Sequence, residues 1–186
     1  MICVIPARSG SKRLEGKNFK DFLGFPLFLR TVKQAESLRI PTIVVGDSDW
    51  DKYNIDLVHR TKAVYMNRPD NLADDSASTW SVVKWAVKTR TDVLLLQVTS
   101  PLRSLDDIRG AIDLFESSGK AVTSTHIGVP NGAIYIRPFD QLETDDWLPY
   151  NMPSSRSVDI DTAEDFRKAE AVAKQFKEIK HDSPGH

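Results

Sequence analysis

The run Val93-Leu94-Leu95-Leu96 constrains the fold of this chain most. Four consecutive apolar residues, with Asp92 just before and Gln97 just after, leave no polar face. Such a strand is buried on both faces, as in the centre of a parallel sheet. Around it the chain alternates apolar runs with helical stripes. Ile2 to Ile5 reads as a first strand. Residues 25–38 carry Leu27, Leu29, Val32, Ala35 and Leu38 at helical spacing. Pro41 breaks that helix, and Thr42 to Val45 reads as a second strand. The pattern then predicts a helix over 49–60, a strand from Lys62 to Met66 and a helix over 76–90 capped by Ser76. After the Val93 strand, the capping-box spacing of Ser104 and Asp107 opens a helix to about Ser118. Lys120 to His126 is a further strand. This order predicts an α/β fold, a doubly wound, mostly parallel sheet with helices on both faces.

Past residue 126 the rhythm changes. Residues 128–132 read as a turn, Ala133 to Ile136 as a short strand, and 138–156 as irregular, with Trp147 and Tyr150 as core anchors. Thr162 and Asp165 have capping-box spacing, opening a last helix to about Ile179. Residues 1–180 read as one α/β domain and 181–186 as a disordered tail.

In a doubly wound sheet the loops at the carboxyl ends of the strands form the ligand site. The loop after the first strand, Pro6 to Asn18, holds Gly10, Gly16 and the cations Arg8, Lys12, Arg13 and Lys17. Successive backbone N–H groups in such a loop make an anion-binding concavity. The guest this predicts is a polyphosphate; the alternative is a solvated connection. The loop lacks both the Gly-Lys-Ser/Thr phosphate motif and G-x-G-x-x-G.

Near the other end, Asp159-Ile160-Asp161 alternates, so an extended backbone places both carboxylates on one side and Ile160 on the other. Paired carboxylates facing a polyphosphate loop suit Mg²⁺. Alternatively they are favourable negative charges before a helix N-terminus. Asp74 and Asp75 are adjacent, so they flank a pocket or cap the next helix. Arg68 and Arg103 sit where strands meet loops, to hold phosphate or carboxylate or to pair on the surface. Gln97 ends the most buried strand and needs a partner, ligand or backbone.

The net charge of −1 over 186 residues gives no global field for nucleic acid, and the cations sit in one loop without aromatic interleaving. The one cysteine, Cys3, excludes an intrachain disulfide and reads as a core residue. No apolar run approaches a membrane span, which predicts a soluble, cytoplasmic protein.

With these residues in place, the chain resembles the acylneuraminate (CMP–sialic acid) cytidylyltransferase family. The motifs are Ile5 to Arg13 with Gly16-Lys17-Asn18, Arg68-Pro69 with Leu72 to Asp75, Leu96 to Arg103, Asn131 to Tyr135, and Arg156 to Asp161 with Asp165. The resemblance covers most of residues 1–176 and implies a nucleotide-diphospho-sugar transferase-like fold. It implies transfer of CMP from CTP to a 2-keto sugar acid, with release of pyrophosphate and with Mg²⁺ as cofactor. By the resemblance, Arg8, Lys17 and Asp161 are catalytic, and Asp159 and Asp161 carry the metal. Ser9, Gly10, Ser11 and Asn18 line the triphosphate loop. Arg68, Ala73 and Asp75 frame the cytosine and ribose, while Gln97, Arg103, Asn131 and Gly132 face the sugar.

The family's usual insertion between the 120–126 strand and the Asn131 segment carries a dimerisation arm, and here only Ile127 to Pro130 spans that gap. A homodimer therefore lacks its usual arm, and the sugar pocket is more open. Two alternatives stay open. One is an enzyme for another keto sugar acid, of the octulosonate, legionaminate or pseudaminate type. Against the octulosonate branch, Val98-Thr99-Ser100 resembles the sialate branch. The other is a CTP-binding regulatory protein without catalysis.

Overall fold

The computed structural model describes residues 1–48, 50, 56–74 and 76–181, with residues 177–181 described for their backbone alone. A seven-stranded sheet forms its centre: β1 (Ile2–Pro6), β2 (Thr42–Gly46), β3 (Val64–Asn67), β4 (Val93–Leu96), β5 (Val122–His126), β6 (Val129–Arg137) and β7 (Leu148–Asn151). The strand order is β3-β2-β1-β4-β6-β5-β7. β1 pairs in parallel with β2 and β4, and β2 with β3. Only β6 runs against its neighbours, and β7 returns parallel to β5 at the edge. The predicted α/β fold is therefore observed, with one strand reversed.

The helices are α1 (Leu27–Ser37), α2 (Asp56–His59), α3 (Thr79–Ala86), α4 (Leu105–Ser118) and α5 (Ala163–His181). Strand alternation divides the core between the two faces. Cys3, Ile5, Val44, Leu94 and Leu96 pack with Leu27 and Val32 of α1, Ile108 of α4 and Ala169 of α5. Val4, Val45, Val93 and Leu95 pack with Val82, Val83 and Ala86 of α3. All four β4 side chains are buried, as the apolar run requires. Each such aliphatic side chain contributes about 2 kcal/mol by burial.

Both predicted capping boxes are present. The Ser104 hydroxyl accepts from the Asp107 amide while the Asp107 carboxylate accepts from the Ser104 amide. Thr162 and Asp165 make the same reciprocal pair at the start of α5. Helix α3 starts later than predicted. Its cap is Ser78, because Ser76 is drawn into a turn whose Asp74 carboxylate accepts from Ser76 and Ala77. Of the helix predicted over 49–60, α2 is the described part; residues 49 and 51–55 lie outside the described residues, as does most of the predicted tail.

The segment predicted as irregular contains β7. Its Tyr150 packs on the core against Gly110 of α4, where an added Cβ would come within 2.6 Å of the Tyr150 hydroxyl. Trp147 is only half-buried and stands outside the core clusters. β5 and β6 join through a tight turn at Ile127 and Gly128, with φ of 51° and 77°. No described helix is long and apolar enough to cross a membrane.

Candidate active site

The loops at the carboxyl ends of β1, β3 and β4 meet the segment before α5 around one cavity of about 280 Å³. Its walls carry the cations Arg8, Lys17 and Arg68 and the acids Asp74, Asp159 and Asp161. Ser11, Asn18, Gln97 and Thr99 also line it. A smaller recess of about 250 Å³ adjoins it, sharing Arg8, Ser11, Lys17 and Asp161 and adding Lys12 and Arg13. The sequence-predicted cations and the Asp159–Asp161 pair are thus brought together, although they lie at opposite ends of the chain.

The loop after β1 is held from several sides. The Ala7 amide donates to Val45 O at 2.9 Å, extending the pairing of β1 with β2. The Trp50 indole N–H donates to Ala7 O, and Asn18 Nδ2 donates to Arg8 O at 2.8 Å. The Ser9 amide donates to the Asp47 carboxylate at 2.7 Å. Gly16 adopts φ of 59° as the chain enters a 3-10 turn over Lys17–Phe19, a conformation glycine takes without a Cβ penalty.

These bonds take two amides out of the expected backbone cradle. The Ser9 amide is spent on Asp47, and the Lys17 amide on Leu14 O. The side chains of Arg8, Lys17 and Arg68 supply positive charge to the wall. Ser9 is buried and a Cβ on Gly10 would meet open space; neither residue is in the cavity wall.

Lys17 is 9% exposed, and its ammonium donates to Ile160 O at 2.6 Å and to Asp161 Oδ1 at 3.3 Å. Arg13 approaches the other Asp161 oxygen at 3.1 Å from the exposed side. Ile160 is fully buried and its amide donates to Thr99 O, so the flanking carboxylates turn to the cavity. Desolvation at the cavity wall raises the Asp159 carboxyl pKa, against the lowering effect of the Thr99 hydroxyl bonded to it. The neighbouring Asp161 adds to the rise.

Other predicted residues are engaged within the fold or lie off this cavity. Arg103 is 1% exposed and outside this cavity; its guanidinium donates to Gln97 O, Ser100 O, Ala133 O and the Thr31 hydroxyl. It ties the loop after β4 to β6 and α1. Arg68 reaches the cavity wall, but its donors close on Val45 O and Gly46 O at 2.7 and 2.9 Å. Asn131 accepts from the Ser124 hydroxyl and donates to that of Ser157, bracing the segment that carries Asp159. Neither it nor Gly132 nor Ala73 lines the cavity. Asp75 lies outside the described residues. Sequence reasoning missed Thr79, Ala77 and Val82, which α3 and its approach present to the cavity. It also missed Asp47, whose signal was a charge at the carboxyl end of a predicted strand.

A protein-family model described as "Cytidylyltransferase" matches residues 2–146. The chain belongs to that family. Among curated cytidylyltransferases, it is 33% identical over 150 residues to the N-acylneuraminate cytidylyltransferase of Escherichia coli. That match takes in 77% of this chain and 35% of that protein, so the chain spans about a third of its length. It is 32% identical over 173 residues to the pseudaminic acid cytidylyltransferase of Campylobacter jejuni, covering 87% of this chain and 73% of that one. Family membership thus comes without a single sugar, since these relatives are named for different acids. A solved CMP:2-keto-3-deoxy-manno-octonic acid synthetase complexed with CTP shares the fold, with a TM-score of 0.71 over 94% of this chain and 98% of that one at 16% identity.

Proposed function

We propose that this chain transfers CMP from CTP to the anomeric hydroxyl of a sialic-acid-like 2-keto sugar acid and releases pyrophosphate, with Mg²⁺ as cofactor. One observation carries the reading: the cations after β1 and the carboxylates before α5 line the same cavity at the carboxyl edge of the sheet. Membership of the cytidylyltransferase family supports the reaction class.

The donor set fits magnesium. Among the described residues, no group of three or more His, Cys, Asp or Glu could hold an ion unaided. Magnesium is commonly held by one or two carboxylates together with substrate phosphates and water. Asp159 and Asp161 would supply those carboxylates, and the bound ion would neutralise triphosphate charge.

The chain's own residues would do the rest. Arg8 and Lys17, with Ser11, would hold the triphosphate and stabilise charge that grows on its oxygens during transfer. Asn18 would keep Arg8 in place through its carbonyl. The anomeric oxygen bonds to the α-phosphorus as the bond to the bridging oxygen breaks. Pyrophosphate leaves in line, and the hydroxyl proton passes to water or, through water, to an aspartate. Gln97 and Thr99 would meet the acceptor side, which the short β5–β6 turn leaves open.

Pyrophosphate release from CTP, assayed with a panel of N-acylneuraminate, pseudaminate, legionaminate and octulosonate acids, tests the reading. Release is expected with at least one acid, fastest with an N-acylneuraminate. CTP binding without release for any acid would instead support a regulatory CTP-binding protein.

A further inference from the structure

Asp47 closes the carboxyl end of β2 and is 7% exposed. It does not line the cavity, yet two features tie it to the cavity's cations. Its Oδ2 accepts the Ser9 amide at 2.7 Å, one residue past Arg8. Its charge attracts Arg68, which Arg8 repels. Its own carbonyl accepts from the Tyr65 hydroxyl at 3.0 Å, fixing its backbone against β3. Its Oδ1 is buried and has no hydrogen-bond partner among the described residues. A buried carboxylate is a costly way to satisfy one amide, and such a group calls for an explanation.

We propose that Asp47 is the positioning residue of the triphosphate loop: by accepting the Ser9 amide it fixes the backbone that aims Arg8 and Ser11 into the cavity. The inference rests on the proposed CTP reading. The residue touches no substrate. It acts through the loop, whose preceding turn is already pinned at Ala7 by Val45 and Trp50. Without this bond the stretch between Arg8 and Arg13 would lose an anchor at its start, and nucleotide binding would have to supply part of its ordering. The acceptor oxygen, not the negative charge, is the working part. The charge itself opposes an anionic ligand nearby.

That distinction separates two variants in sign. Asp47→Asn keeps an oxygen that can accept the Ser9 amide and removes a negative charge beside Arg8 and Arg68. Its CTP affinity should equal or exceed that of the unaltered chain. Asp47→Ala removes the acceptor, and its CTP affinity should fall about tenfold, the size expected for one buried hydrogen bond. Asp47→Ser, polar but too short to reach the amide, replaces alanine if that chain does not fold.

The experiment is equilibrium CTP binding by calorimetry, alongside melting temperatures without ligand. Weak binding by Asp47→Ala or Asp47→Ser, with Asp47→Asn at full affinity, supports the assignment. Affinity within about twofold of the unaltered chain for the acceptor-less variants, or equal loss in all variants, overturns it. If the unaltered chain itself binds no CTP, the functional reading falls first and this inference with it.

Discussion

The Lys17 ammonium donates to the carbonyl oxygen of Ile160 at 2.6 Å, joining positions 143 residues apart. One lysine therefore belongs both to the loop after β1 and to the acidic segment before α5. Replacing it by methionine keeps the buried stem and removes the charge. We expect pyrophosphate release to fall by about 100-fold or more, the usual loss for one charge-stabilising donor. Stability should drop by about 1.5–3 kcal/mol, as for a hydrogen bond made by a charged group. Steady-state rates and urea denaturation check the two effects separately.

Asp161 meets Lys17 and Arg13 while its carboxylate opens onto the cavity. In Asp161→Asn the Mg²⁺ concentration for half-maximal pyrophosphate release should rise about tenfold or more, with Asp159→Asn behaving likewise. Chelation of the metal should abolish release without moving the melting temperature of the CTP-free protein, because the ion would arrive with the nucleotide. A lower melting temperature on chelation would mark a structural metal instead.

Arg103 separates a structural arginine from a substrate-facing one. Arg103→Met strips the donors from Gln97 O, Ser100 O and Ala133 O in the interior. The expected cost is about 3 kcal/mol or more. The fraction that stays folded should keep its KM for the sugar acid. A raised KM with unchanged stability would restore Arg103 to the acceptor pocket.

Much of the fold was legible because its signals are local. The β4 run, the two capping boxes and the Asp-Ile-Asp alternation each follow from spacing alone. The partners of buried polar groups were not legible. Arg68, Arg103 and Asn131 sit beside the cleft in sequence terms, but backbone carbonyls and hydroxyls elsewhere in the fold take up most of their donors. Strand β7 was hidden because Pro149 weakens its pattern. The structure tolerates that proline at the sheet edge, where β7 pairs with β5 alone.

Asp107 gives a pH prediction. Burial raises its carboxyl pKa, but the Arg156 fork at 2.7 and 3.0 Å and the Ser104 bonds outweigh this and hold it below the ordinary value. A pKa lower in the folded than in the unfolded chain stabilises above the unfolded value of about 4. That contribution is lost as pH falls through the folded value. Asp107→Asn should therefore be less stable at pH 7, with the gap narrowing on acidification below about pH 4. Urea midpoints across that range check it; a constant gap would contradict it.

Ile127 holds φ of 51° in the β5–β6 turn, followed by Gly128 at 77°. A β-branched residue is strained there, whereas Asn-Gly suits such hairpin turns. Ile127→Asn should stabilise the chain by about 1 kcal/mol and also remove an exposed apolar side chain. A thermal melt decides the sign.

The central claim is that both ends of the chain build one magnesium–nucleotide site. CTP binding measured with and without Mg²⁺, in the unaltered chain and in Lys17→Met and Asp161→Asn, tests it most directly. The account predicts CTP binding that Mg²⁺ tightens, weakened by the lysine change and largely freed of its magnesium dependence by the aspartate change. CTP binding that ignores Mg²⁺ and both substitutions, or no CTP binding by the unaltered chain, would contradict it.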